Sequence, residues 1–239
     1  MKDKLLKILP QKGFNLNDEQ INKLVLFASF LREWNNKMNL TSLEREEDII
    51  YKHFIDSLFC LKVNLPWEGK KIIDIGTGAG FPGIPLKIVL NNSIDLTLCD
   101  SLQKRITFLE FVLSKLNLEK VVCVHGRAED LGKNNLYREN YDLVLARAVA
   151  RLPVLLELCL PFVKIGGYFM ALKGPEGLNE LNESNLALNL LGGEVYKMDK
   201  FSLQDEKINR IIITIKKVKP TLDKYPRKAG IPSKKPLLS

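Results

Sequence analysis

Residues Asp74-Ile75-Gly76-Thr77-Gly78-Ala79-Gly80-Phe81-Pro82-Gly83 put four glycines into ten positions, between a short apolar run ending at Ile75 and a helix-forming stretch from Gly83 to Leu90. Glycines spaced in this way let a chain leave a strand, turn sharply and approach a ligand with no Cβ in between. A turn of this kind that opens a helix lies at the carboxyl edge of open α/β sheets, where nucleotides bind. A Gly-x-Gly alone is weak evidence, so its neighbours decide how it is read.

From Lys70 onward, short apolar runs alternate with helical stretches, the pattern of repeated βαβ units and a mostly parallel sheet. Strands are expected at 71–75, 95–99, 121–125, 142–146 and 168–172, with helices near 83–90, 104–116, 153–163 and 177–191. Two closing strands, 194–201 and 209–217, follow each other with only a short loop between them, so an antiparallel pair is expected to end the sheet. Ahead of the first strand the signal is helical. Asn17 and Gln20 resemble a capping box, and Ile21, Leu24, Val25, Ala28, Leu31 and Trp34 recur behind it at helical spacing. A second helix is expected from about Glu46 to Leu61. The boundaries that follow are a helical cap over 1–65, an α/β domain over 66–219 and a basic tail over 220–239.

Composition narrows the class. A chain of 239 residues that is 46% hydrophobic can bury one substantial core. No apolar run is long enough to span a membrane, and the start, Met1-Lys2-Asp3-Lys4, carries no signal-peptide pattern, so a cytoplasmic protein is expected, with no membrane partner. Cys60, Cys99, Cys123 and Cys159 are widely spaced among apolar neighbours and are read as buried thiols, with no metal site. The net charge of +8 is concentrated: residues 216–239 hold eight basic side chains and one acid. A basic tail with prolines and a tyrosine suits a phosphate-backbone partner, and equally a solvated, partly disordered segment.

Asp100 ends the second expected strand, 20 residues after Gly80, where a carboxylate can accept two ribose hydroxyls. Two cofactor classes share that arrangement. A dinucleotide would set a pyrophosphate against the loop and favour glycine at position 81, which is Phe81 here. Asp74 would repel phosphate and suits a ligand carrying an ammonium and a sulfonium, which points to S-adenosylmethionine. The loop His125-Gly126-Arg127-Ala128-Glu129-Asp130 follows the third strand, where the Ala128 and Glu129 backbone could read an adenine edge.

The chain resembles the bacterial 16S rRNA guanine-N7 methyltransferases, the glucose-inhibited division protein B family. The residues that carry the likeness are Trp34-Asn35, Asn39-Leu40-Thr41, His53 to Leu58, the loop Asp74 to Leu86, Asp100 to Arg105, Arg127-Ala128-Glu129, Ala146-Arg147-Ala148, Ala171 to Gly174, and Tyr225-Pro226-Arg227-Lys228 with Gly230, Pro232 and Lys234. The resemblance implies a class I, Rossmann-like methyltransferase fold. It implies cofactor contacts at Gly76, Gly78, Phe81, Ala128, Glu129 and Arg147, with Asp100 on the ribose. The implied substrate is a guanine in the 530 loop of 16S rRNA, met as rRNA or within the small ribosomal subunit, and the chain is expected to act as a monomer.

The fourth strand ends Leu145-Ala146-Arg147-Ala148-Val149, with neither the Asp/Asn-Pro-Pro-aromatic motif of exocyclic-amine methylation nor a cysteine nucleophile. N7 of guanine needs neither, because its in-plane lone pair attacks directly and no proton has to leave. Positioning should therefore dominate the rate, and no residue is assigned as catalytic. Arg147 suits the methionine carboxylate or an RNA phosphate. Lys173, at the end of the fifth strand, is a candidate substrate contact, and His53 and Asp56 stay outside the assigned set. The alternatives are an NAD-dependent oxidoreductase and a non-enzymatic RNA-binding factor with a degenerate cofactor site.

Overall fold

The computed structural model describes residues 1–41, 45–204 and 209–238. Among the described residues seven strands form one sheet in the order β3-β2-β1-β4-β5-β7-β6. They are β1 (Lys70–Ile75), β2 (Ile94–Asp100), β3 (Val121–His125), β4 (Tyr141–Arg147), β5 (Val163–Lys173), β6 (Gly193–Ser202) and β7 (Asn209–Lys217). β1 to β5 pair in parallel, and β7 lies antiparallel between β5 and β6. The mostly parallel Rossmann-like sheet with an antiparallel end is the one the sequence implies. The expected short loop between the last two strands includes 205–208, which lie outside the described residues.

Side chains alternate across the sheet and split the core in two. Ile72, Leu96, Leu98, Leu143, Leu145, Met170, Leu172 and Ile212 face one side. Ile73, Ile75, Val144, Ala146, Phe169, Ala171, Ile213 and Ile215 face the other. The first face is covered by α5 (Gly83–Leu90), α6 (Gln103–Leu116) and the N-terminal helices; the second is covered by α8 (Leu152–Cys159), α10 (Asn185–Leu191) and the C-terminal segment.

The cap begins with α1 (Lys2–Gln11), a helix the sequence reading did not include, and α2 (Asp18–Met38). The Asn17 and Gln20 capping box is formed in full. A helical rod over 46–62 follows: α3 (Glu46–Asp48), a π-helical stretch (Ile49–Ile55), α4 (Asp56–Leu58) and a closing 3-10 turn (Phe59–Lys62). Ile49, Ile50, His53, Phe54, Asp56 and Ser57 are all buried, and π turns of this kind recur at functional sites. The cap shares one continuous core with the sheet face beneath it.

Two expected helices are cut short for local reasons. The one read as 153–163 stops at Cys159, because Leu160–Phe162 tighten into a 3-10 turn around Pro161, which has no N–H to give. β5 accordingly starts at Val163. The stretch 177–191 breaks into α9 (Gly177–Asn182) and α10, where Ser184 Oγ bonds back to the Glu180 carbonyl. The loop after β3 contains a single helical turn, α7 (Ala128–Leu131).

The segment expected as a basic tail folds back over α8 and ends in a short helix, α11 (Ile231–Lys234). Tyr225 joins the second core, and the guanidinium of Arg138 donates to the carbonyls of Gly132, Tyr225 and Thr221 at 2.8, 2.9 and 2.6 Å. Arg227 pairs with the buried Glu157. The picture of a solvated tail gives way to an ordered strap.

Candidate active site

β1 lies between β2 and β4, so the order of connection reverses at its carboxyl end, the position where open sheets bind ligands. The glycine turn sits there, with Gly76, Gly78 and Gly80 at φ of +66°, +61° and +93°. A Cβ on Gly80 would come within 2.4 Å of Ile84, whereas Gly78 opens onto space with only the Gly76 carbonyl at 4.0 Å.

Asp74 corrects one expectation. It does not face a ligand cation. Its side chain is fully buried beneath the turn, where Oδ2 accepts from Thr77 Oγ1 at 2.7 Å and from the Gly83 N–H at 2.9 Å. It acts as a clamp, and a Cβ on Gly83 would collide with Leu98 and crowd this carboxylate. Burial pushes the Asp74 carboxyl up to about 6, and Oδ1 has no hydrogen-bond partner among the described residues.

Asp100 braces the turn from the next strand. Its Oδ2 accepts from Gly78 N–H at 2.9 Å and from Arg105 at 3.1 Å, and Oδ1 accepts from Leu102 N–H at 3.0 Å. Gly76, Asp100, Ala128 and Glu129 line one cavity of about 130 Å³, together with Ile75, Cys99 and Val149. Four residues singled out from three separate stretches of sequence are thus brought together. The Glu129 carboxylate accepts from Gly230 N–H at 3.0 Å.

Phe81 and Arg147 meet on the other side of the turn. The Phe81 ring is buried between Phe27, with centroids 5.1 Å apart, and His53, stacked at 4.3 Å, while the Arg147 guanidinium lies 5.0 Å from its centre. Arg147 donates to the Lys52 carbonyl at 2.7 Å, to Asp56 Oδ2 at 2.9 Å and to His53 Nδ1 at 2.9 Å. That bond leaves the His53 ring proton on Nε2, directed at Thr41 Oγ1 3.1 Å away. Burial and then the Arg147 charge pull His53 down to about 3, so the ring is neutral at any working pH. Asp56 Oδ1 accepts from Arg210 Nε at 3.1 Å, which places one carboxylate between two guanidinium groups.

Thr41, Lys52, His53, Asp56, Arg147 and Arg210 border a second cavity of about 650 Å³. Its far wall holds Lys173, which is not free: Nζ donates to the Ala150 carbonyl at 2.8 Å and pairs with Glu180 at 2.7 Å. The β4–α8 loop separates the two cavities. Ala148 faces the larger one with a left-handed φ of +55°, a conformation a non-glycine residue takes only under constraint. Val149 faces the smaller one and fills the space a Gly76 side chain would need.

The sequence reading left His53 and Asp56 unassigned and missed Glu180 and Arg210. His53 and Asp56 had a local signal, three residues apart on one helix. Arg210 had none, because it arrives only through β7, which runs antiparallel and so starts at the carboxyl edge of the parallel strands. The tail charge is also revised. Lys217 is fully buried on the Leu160 carbonyl, Thr221 and Glu139, and Arg227 is spent on Glu157. Lys216, Lys219, Lys224, Lys228, Lys234 and Lys235 remain exposed. No helix among the described residues is long and apolar enough to cross a membrane.

Comparison with known proteins bears on the whole arrangement. The family model for rRNA small subunit methyltransferase G matches residues 20–209. The curated ribosomal RNA small subunit methyltransferase G of Alkaliphilus oremlandii is 51% identical over 237 residues, 99% of this chain and 99% of that one. Its counterpart from Clostridium kluyveri is 50% identical over 225 residues, 94% of each. Among solved structures, a SAM-dependent methyltransferase from Aquifex aeolicus shares the fold with a TM-score of 0.55 and 18% identity, over 74% of this chain and 96% of its own.

Proposed function

The chain belongs to the rRNA small subunit methyltransferase G family, and on that footing we propose that it transfers a methyl group from S-adenosylmethionine to N7 of a guanine in the 530 loop of 16S rRNA. The observation that carries this reading is the meeting of Gly76, Asp100, Ala128 and Glu129 in one cavity at the sheet's switch point, beside a larger cavity bordered by Lys52, Arg147, Lys173 and Arg210.

The residues fit the cofactor. The turn at Gly78 leaves the space a Cβ would take, Asp100 sits at the adjoining strand tip, and the first N–H groups of the α7 turn carry no intrahelical bond. The small cavity alone, at about 130 Å³, falls below the roughly 300–1,000 Å³ of sites for ligands of this size. The cofactor would therefore extend past Gly76 and Val149 toward the larger cavity. Gly76, Gly78, Asp100, Ala128 and Glu129 would hold its adenosine end. Three of the five Arg147 donors are engaged on the cap, and the two that remain suit a carboxylate or a phosphate. Phe81 serves by packing, since it carries both His53 and Arg147.

When bound, S-adenosylmethionine would supply a sulfonium methyl open to in-line attack by an in-plane nitrogen lone pair, the C–S bond breaking as the N–C bond forms and S-adenosylhomocysteine leaving with the bonding pair. The protein's own task is to orient and to exclude water. Neutral His53 and the doubly paired Asp56 fix Arg147, the other two carboxylates of the larger cavity are engaged, Glu180 on Lys173 and the Leu152 N–H and Glu176 on the Asn179 amide, and no cysteine lines this cavity among the described residues. Carboxylates committed to Arg147, Arg210, Lys173 and Asn179, with no thiol beside them, favour N7 over an exocyclic amine or a pyrimidine carbon. The work divides by segment among the described residues: within 1–65, Thr41, Lys52, His53 and Asp56 wall the larger cavity, 66–219 carries the sheet and the turn, and the strap over 220–238 offers its exposed lysines to RNA phosphates. Lys173 and Arg147 are the nearest substrate contacts.

The test is to delete the gene and map N7-methylguanine in 16S rRNA by borohydride and aniline cleavage. The 530-loop signal is expected to vanish and to return with the wild-type chain; its persistence in the deletion strain overturns the substrate assignment.

A further inference from the structure

We propose that the C-terminal strap is a positioning element for the small cavity, holding its α7 wall in place through the Gly230 N–H and the Glu129 carboxylate. This rests on reading that cavity as the cofactor site.

Gly126, Arg127, Ala128 and Glu129 form one wall of the cavity, and the only regular structure among them is the start of α7, four residues long. A single turn has no stability of its own, because the nucleus costs more than one hydrogen bond returns. Its support comes from behind. Glu129 Oε1 accepts from Gly230 N–H at 3.0 Å, so a residue that lines the cavity is tied directly to the strap. At the far end of the turn, a Cβ on Gly132 would lie 3.1 Å from the Pro226 ring, which shows how closely the strap approaches. Arg138 joins the two directly, since its guanidinium donates to Gly132 on the α7 side and to Thr221 and Tyr225 on the strap side. The strap is anchored independently of the cavity by Arg227 on Glu157. Gly230 reaches the wall in a left-handed conformation, φ +80°, that glycine adopts without strain. The strap thus has two separable roles: its exposed lysines present charge, and its backbone braces the wall.

The test uses the full chain and S-adenosylhomocysteine as the probe, with calorimetric Kd, cofactor KM, kcat and melting temperature read together. Gly230→Pro removes the N–H and cannot adopt the native φ. It is expected to weaken probe binding and raise the cofactor KM by about three- to tenfold, less than the full worth of a hydrogen bond to a charged group because the contact acts through the wall, with kcat kept within about twofold. Gly230→Ala keeps the N–H and meets no atom within 4 Å, although its Cβ strains the φ of +80°, so its affinity is expected to fall between those of the wild type and Gly230→Pro. Lys234→Ala, which removes strap charge only, should leave probe affinity unchanged. Adding Gly230→Pro to Glu129→Ala should cost nothing further, because both cut the same contact. If Gly230→Pro does not fold, Arg138→Met severs the bridge with Gly230 in place and should give the same rise in KM. Wild-type affinity in a folded Gly230→Pro or Arg138→Met protein, or losses that multiply in the double variant, would overturn the brace alone. A wild-type chain that fails to bind the probe would overturn the cofactor reading beneath it.

Discussion

Replacing Arg227 with methionine should be far more damaging than replacing its partner. The Glu157 carboxylate is completely buried, and it receives the Arg227 backbone N–H at 2.8 Å, Nε at 2.9 Å and an Nη2 hydrogen at 2.6 Å. Arg227 is about a quarter exposed. Arg227→Met keeps most of the stem and the backbone donor but strands a buried carboxylate, at a cost of about 3–5 kcal/mol. For a chain of this size each kcal/mol shifts the melting temperature by about 2–4 °C, so the expected drop is on the order of 6–20 °C. Glu157→Leu strands a guanidinium that can turn to water, and should cost about 1–2 kcal/mol. The double variant should recover most of the Arg227→Met loss, because an apolar pair replaces a buried ionic one. Urea unfolding of the four proteins measures each term, provided the slopes agree. A Glu157→Leu protein less stable than Arg227→Met, or a double variant no better than Arg227→Met, refutes the picture of a carboxylate that depends on the strap.

Phe81→Ala, which empties the contact among Phe27, His53 and Arg147, should cost about 3–5 kcal/mol in unfolding experiments and weaken S-adenosylhomocysteine binding in calorimetry. Burial and the Arg147 charge hold His53 down to about 3, whereas an unfolded imidazole takes its proton near about 6.5, so stability falls as pH drops below about 6.5. Asp74, lifted by burial to about 6, works in the opposite sense, since between about 4 and 6 the native chain binds the extra proton. Urea midpoints from neutral to acid pH should therefore decline less steeply in His53→Gln and more steeply in Asp74→Asn; the reverse order contradicts both assignments. Lys228→Ala with Lys234→Ala should lower the magnitude of the salt slope of rRNA binding by about 1.4, at roughly 0.7 per phosphate contact on a single strand.

The sheet was legible because its signal is local and repeated. Apolar residues at both parities in β1, β4 and β5 mark strands covered on two faces, and each helix between them has its own period. The Asn17 cap was legible for the same reason. What failed was what depends on distant partners. α1 lacked a cap signal, since Met1 makes no side-chain cap bond, and Pro10 lies inside it. The break at Ser184 comes from one hydroxyl bonding back to Glu180, a choice that residue type permits but does not dictate.

At the site, the residues were legible and their directions were not. Asp74 read as a ligand-facing acid because its neighbours in sequence are the turn, but a strand residue's side chain takes the face its parity assigns, and here that face lies under the turn. Arg147 and Lys173 read as free cations because their partners, Asp56 and Glu180, sit on other elements. The same blindness affects the tail. Counting charge treats its eight basic residues alike, whereas Lys217 and Arg227 each meet a carboxylate supplied from elsewhere in the chain, Glu139 and Glu157. Removing those two from the electrostatic surface does not weaken the case for an RNA partner. It leaves six exposed lysines on a fixed platform, four of them on the strap (Lys224, Lys228, Lys234 and Lys235), so that phosphate contacts made there cost less ordering entropy than those made by a free tail. The internal pairs are therefore what turn a basic composition into a surface, and that is why Arg227→Met should weaken rRNA binding by more than the loss of one charge.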